Sequence, residues 1–124
     1  MSTFFTVMEN AADEITVKKS RFIAEVYRVQ SVDEAKEFIR QVQKKYHDAK
    51  HHCFAYRVFD GTLEERMNDD GEPSGTAGAT MLTILQGKEL VNTLVIVTRY
   101  FGGVLLGTRR TFKSLFRSST KCVK

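Results

Sequence analysis

A chain of 124 residues is long enough for one domain built around a single sizeable core. With 42% apolar and 27% charged residues it has the composition of an ordinary globular protein, and no apolar run approaches the roughly 20 residues that span a bilayer. The formal charge of +4 permits binding to nucleic acid without requiring it, and two cysteines, Cys53 and Cys122, are too few for a disulfide framework.

The N-terminus, MSTFFTVMEN, lacks the basic and sustained apolar regions of a signal peptide, so a cytoplasmic location and free thiols are expected. Residues 4–8 and 14–18 read as short extended segments, Ile15 and Val17 alternating with Glu14, Thr16 and Lys18. After a turn near Lys19 and Ser20, RFIAEVYRV at 21–29 alternates Phe22, Ala24 and Val26, the pattern of a half-buried strand. KKSRF at 18–22 sets Lys18, Lys19 and Arg21 at the junction of two strands, where they either grip a phosphate backbone or act as solvated edge charges.

Ser31 followed by Glu34 is a capping box, and Val32, Ala35, Phe38, Ile39, Val42 and Tyr46 recur at helical spacing, which predicts a helix over 32–46. HHCFAYRVF at 51–59 reads as a strand with Cys53, Ala55 and Arg57 on one face and Phe54, Tyr56 and Val58 on the other. His51 and His52 then point to opposite faces, which makes a joint metal or acid–base role awkward; with Cys53 they offer no second ligand cluster for zinc. Residues 60–68 read as a polar connection.

The most specific text is DDGEPSGTAG at 69–78. Asp69, Asp70, Gly71, Glu72, Pro73, Ser74, Gly75 and Thr76 have the composition of a turn and helix start, with Gly71 free to take positive φ and Ser74 or Thr76 as N-cap. Ala77, Met81, Ile84 and Leu85 then predict a helix over 76–87, its amino end turned to the loop. That end is a candidate phosphate site if a cation offsets the acids; otherwise the acids complement the helix dipole. TLVIVTRYFGG at 93–103 is an apolar strand of the kind found mid-sheet. It ends at Arg99, whose guanidinium needs an anion: Asp69, Asp70, Glu72 or a ligand phosphate. GGVLLG at 102–107 fits neither a dinucleotide fingerprint nor a Walker loop.

In this order and at this spacing, KKSRF, HHCFAYR, NDDGEPSGTAG and VTRYFGGVLLGT resemble the N-terminal domain of the YigZ/IMPACT family, also called uncharacterised protein family 0029, over roughly residues 10–108. The resemblance implies an α+β or α/β two-layer sandwich, a β-rich sheet with two to three helices, similar to domain four of elongation factor G with its left-handed βαβ crossover. Eukaryotic members of the family carry an extra N-terminal domain and regulate translation initiation by competing for an activator of an eIF-2α kinase. Bacterial members add a ferredoxin-like domain after this one. Neither addition is expected in this chain, and the family has no agreed catalytic residues.

The leading expectation is therefore a non-enzymatic domain that binds RNA, the ribosome or another translation component and has a role in regulating translation. Lys18, Lys19, Arg21, Arg57 and Arg99 are the expected contacts, with no cofactor, no metal and no membrane. The alternative is a Mg²⁺-dependent hydrolase or phosphoryl-transfer enzyme in which Asp69, Asp70 and Glu72 hold the ion and Arg99 steadies the substrate's charge. Against it, no nucleophile is spaced to pair with a base.

After Thr108 the chain departs from the family's pattern. Codons exist for which RRTFKSLFRSSTKCV, read one nucleotide later, gives GGLLKAYSGAVQSV, the text the family resemblance leads one to expect. The sequence thus predicts a domain at 1–108 and, at 109–124, an out-of-frame basic remnant whose charge is no evolved nucleic-acid patch. Phe112, Leu115 and Phe116 give that remnant one apolar stripe, which could form a helix over 108–119.

Overall fold

The computed structural model describes residues 4–7, 10–17, 20–49, 51–68, 70, 77–100 and 120–123. Its elements are β1 (Phe4–Val7), β2 (Ala11–Val17), β3 (Ser20–Arg28), α1 (Val32–Lys45), β4 (His51–Asp60), β5 (Thr62–Asn68), α2 (Ala77–Gly87), β6 (Thr93–Tyr100) and β7 (Thr120–Val123). The fold is built on β6. Its apolar run TLVIVTRY is buried from Thr93 to Arg99, as expected of a strand with a neighbour on each side and a packed layer on each face.

Five strands form an antiparallel sheet in the order β2-β3-β6-β4-β5. Because β3 and β4 both run antiparallel to β6, they are parallel to each other with β6 between them, and α1 makes the crossover. A second antiparallel pair, β1 with β7, lies outside this sheet, and Val7 reaches its core. The remnant predicted as a helix at 108–119 falls outside the described residues, as do the N-cap candidates Ser74 and Thr76.

Alternation along the strands creates two cores, one on each side of the sheet. Phe22, Ala24, Val26, Cys53, Ala55, Val95 and Val97 face α2, which supplies Met81, Ile84 and Leu85 at i, i+3 and i+4. Tyr56, Val58, Leu94 and Ile96 face α1, which supplies Ala35, Ile39 and Val42. The molecule is thus an α+β sandwich with one helix on each face of the sheet, each helix and its face making a two-layer packing. Removing a side chain such as Leu85 from water contributes about 1.5–3 kcal/mol.

Ser31 caps α1 as the spacing requires, its Oγ accepting from Glu34 N–H at 3.1 Å, while Glu34 Oε1 reaches one residue before the cap and accepts from Gln30 N–H at 3.1 Å. The predicted polar connection at 60–68 is instead the edge strand β5, joined to β4 through Gly61 at φ 79°. TLEERMN shows no apolar alternation because neither face of this edge strand is well covered; five of its seven residues, Thr62 to Arg66, are exposed in succession.

Candidate nucleic-acid interface

The starts of β3 and β4 and the end of β6 meet at one end of the sheet. The pairing register puts Arg21 opposite Tyr100, Phe22 and His51 opposite Arg99, and His52 opposite Thr98. Arg21 is half-exposed, and its guanidinium lies 5.3 Å from the centre of the Tyr100 ring. Glu14 Oε1 accepts from Arg21 Nε at 2.8 Å and Nη2 at 2.6 Å, and this bond raises the arginine's pKa further.

The carboxyl end of α1 adds a second cation and a second ring. Tyr46 meets Tyr100 edge to face, with centroids 6.4 Å apart, and Lys45 Nζ stands 5.1 Å from the centre of the Tyr46 ring. A hydrogen bond to Tyr46 raises the Lys45 pKa, so the ammonium stays charged at neutral pH. Burial raises the Tyr100 pKa, helped by its O–H donating to Asp48 Oδ1 at 3.1 Å, so the phenol stays neutral. The result is two partly buried phenol rings, each with a permanent cation over it.

The histidines have separate structural roles, as their alternation predicts. His52 Nε2 donates to the Tyr46 carbonyl at 2.8 Å and so ties the end of α1 to β4, while His51 Nδ1 donates to the Asp70 carbonyl at 2.6 Å. Asp70 has φ 50°, a left-handed conformation that aspartate tolerates better than most residues. Its carboxylate accepts from His52 N–H at 2.8 Å, and its own N–H donates to Asn68 Oδ1 at 2.6 Å. The first described step into the acidic loop is therefore fastened to the start of β4. Asp69, Gly71, Glu72, Pro73, Ser74, Gly75 and Thr76 lie outside the described residues.

The five predicted cations fall in different places. Arg21 belongs to the cluster just described, and Lys18 and Lys19 are outside the described residues. Arg99 is buried, on the α2 side of the sheet, with its guanidinium 5.8 Å from the centre of the Phe22 ring. Arg57 is buried at the far end of the sheet. Its Nη1 donates to the carbonyls of Leu85 at 3.2 Å and Leu90 at 3.1 Å, and its Nε forms an ion pair with Glu65 Oε2 at 2.8 Å, outside hydrogen-bond angles. A cation at the carboxyl end of α2 complements the helix dipole, and the Leu85 carbonyl, which already accepts from Leu90 N–H at 2.9 Å, takes Arg57 as a second donor.

Sequence reasoning did not pick out Tyr46, Lys45 or Tyr100 as a group, since they come together only through the α1–β4 and β3–β6 contacts. Among the described residues, no group of three His, Cys, Asp or Glu is placed to hold a metal ion, and no helix is long and apolar enough to cross a membrane.

Comparison with known proteins places this geometry in a family. The family model of the Impact N-terminal domain matches residues 18–123, and so runs past Thr108. IMPACT family member YvyE of Bacillus subtilis is 46% identical over 107 residues, covering 86% of this chain and 49% of that protein. A crystal structure of a hypothetical protein superposes with a TM-score of 0.81 at 33% identity, covering all of this chain and 65% of that one. The two-domain translational regulator Yih1 superposes with a TM-score of 0.56 at 27% identity, covering 93% of this chain and 45% of its own. The chain spans about half the length of the curated bacterial relatives it matches. With the motif order, the fold and these matches in agreement, the chain belongs to the Impact N-terminal domain family.

Proposed function

We propose that this chain acts in the regulation of translation by binding structured RNA, on or off the ribosome, through the cationic, tyrosine-bearing end of its sheet. The observation that carries this reading is the placing of Arg21 over Tyr100 and Lys45 over Tyr46 beside one another. Guanidinium and ammonium groups attract phosphates, and phenol faces accept unstacked bases, a combination common to proteins that hold single-stranded or looped RNA. Lys18 and Lys19 immediately precede β3 in sequence. The naming of Yih1 as a translational regulator supports the setting. In this reading no bond is made or broken, and Arg57 and Arg99 shape the scaffold instead of meeting phosphate.

A filter-binding titration with structured RNA across a salt series tests it. The logarithm of affinity is expected to fall linearly with the logarithm of salt, and Arg21→Ala to reduce that slope by roughly one. Tyr100→Ala, which removes a ring and leaves every cation in place, is expected to weaken binding by about 1–3 kcal/mol with little change in slope. Binding that does not respond to salt would exclude this function.

A further inference from the structure

The opposite end of the sheet has a different chemistry. Here β5 is an edge strand, and no strand of the described residues pairs with its outer side. Phe59 and Leu63 face each other across the β4–β5 hairpin and stay 45% and 39% exposed, the large apolar side chains left exposed among the described residues. On the other face of the hairpin, Asp33, Asp60 and Glu64 join Val32 and Val58 around a cavity of about 230 Å³. No ion pair among the described residues holds any of these three carboxylates.

Charged side chains on an edge strand ordinarily block pairing between copies. That accounts for Glu64, Glu65 and Arg66 but leaves two exposed apolar side chains beside them unexplained. We propose that β5 receives an extended segment of a basic partner protein, added as a sixth strand, with apolar and basic residues in alternation. Successive side chains of an added strand fall on opposite faces of the sheet. One set lies over Phe59 and Leu63. The other enters the cavity, where a lysine or arginine stem packs on Val32 and Val58 while its head reaches Glu64, Asp60 and Asp33. The same carboxylates oppose RNA phosphates and a second copy of this chain, whose β5 brings like charges, so charge complementarity selects a basic polypeptide.

The test is a fluorescence anisotropy titration of the full chain with a synthetic peptide alternating lysine and valine, followed by hydrogen–deuterium exchange of the complex. Binding is expected to slow exchange along Thr62–Asn68, which attachment through side chains alone would not do. Leu63→Ser and Glu64→Lys change exposed positions and are each expected to lower affinity about tenfold or more, with Glu64→Gln falling between Glu64→Lys and the unaltered chain. Exchange in β5 that stays unchanged on binding overturns the proposal, as does equal binding of a peptide of the same composition without alternation. Self-association in sedimentation that Leu63→Ser abolishes would assign the edge to a second copy instead. RNA titration of the same variants is expected to match the unaltered chain, so failure here is distinguishable from failure of the RNA reading.

Discussion

The two ends of the sheet treat charge in opposite ways. Where β4 begins and β6 ends, each of three acids is held by a partner: Glu14 by Arg21, Asp48 by the Tyr100 hydroxyl and Asp70 by the His52 amide, while Arg21 and Lys45 stand over rings. Around the β4–β5 hairpin the pattern is reversed. Arg57 is buried against Glu65 and two carbonyls, and Asp33, Asp60 and Glu64 line an open cavity, with Arg66 the exposed cation on β5. α1 joins the two ends with its own dipole aligned to match, Asp33 and Glu34 in its first turn and Lys44 and Lys45 in its last. Net charge of +4 hides this polarity. A single chain can therefore offer a face to anions and a face to cations without a domain boundary between them.

The strongest way to break the comparison is to remove the arginine that the acidic end has taken inside. Arg57→Ala takes one of two donors from the Leu85 carbonyl, a donor from the Leu90 carbonyl and the cation from Glu65, which keeps its bond from Gln86 Nε2, in a site where the arginine is 7% exposed. A loss of about 3 kcal/mol in a urea titration is expected. The contrasting change, Arg21→Ala, breaks a half-exposed pair and should stay within about 0.5 kcal/mol. If the two substitutions cost the same, the division of the arginines into one structural and one surface group is wrong.

Asp70 tests how the cationic end is kept in shape. Asp70→Ala removes the acceptor of His52 N–H and puts alanine at φ 50°, where its Cβ is disfavoured; about 1 kcal/mol of stability should be lost. Asp70→Asn keeps an acceptor and tolerates the same backbone, so it should stay within about 0.5 kcal/mol of the unaltered chain. Equal losses for both would point to the negative charge and away from the fastening geometry. The measurement is again denaturant unfolding, near neutral pH.

Much of this architecture was legible because local and tertiary demands agree. Ser31 and Glu34 announce α1 whether or not a sheet is present, and TLVIVTRY can hardly lie anywhere but mid-sheet. The two faces of β4 followed from strict alternation, down to the separation of His51 from His52. What could not be read depends on contacts between distant segments. β5 lacks alternation because it is an edge, Arg57 looks like any strand cation until α2 ends above it, and Tyr46 and Tyr100 meet only when α1 returns to the start of β4. Of the KKSRF cations, Arg21 lies among the described residues.

The smallest expected effect concerns Glu25, whose charge Lys45 feels. Glu25 is buried, and its Oε2 accepts from the Tyr27 hydroxyl at 2.8 Å while Oε1 has no hydrogen-bond partner among the described residues. Tyr27 in turn stacks on Phe38, with ring centroids 4.6 Å apart. Burial, and next the bond to Glu25, raise the Tyr27 pKa well above the ordinary phenol value of about 10. A raised folded pKa means the contribution is fully present below about pH 10 and is lost as pH climbs through the folded value, because a phenolate beside a buried carboxylate is repelled. Stability measured by urea unfolding at rising alkaline pH should therefore fall less steeply for Tyr27→Phe than for the unaltered chain. The phenolate absorbance of Tyr27 should also appear only above pH 10. If the two slopes coincide, the Tyr27 hydroxyl does not govern Glu25, and the balance at this end rests on Lys45, whose ammonium also feels the Glu25 charge.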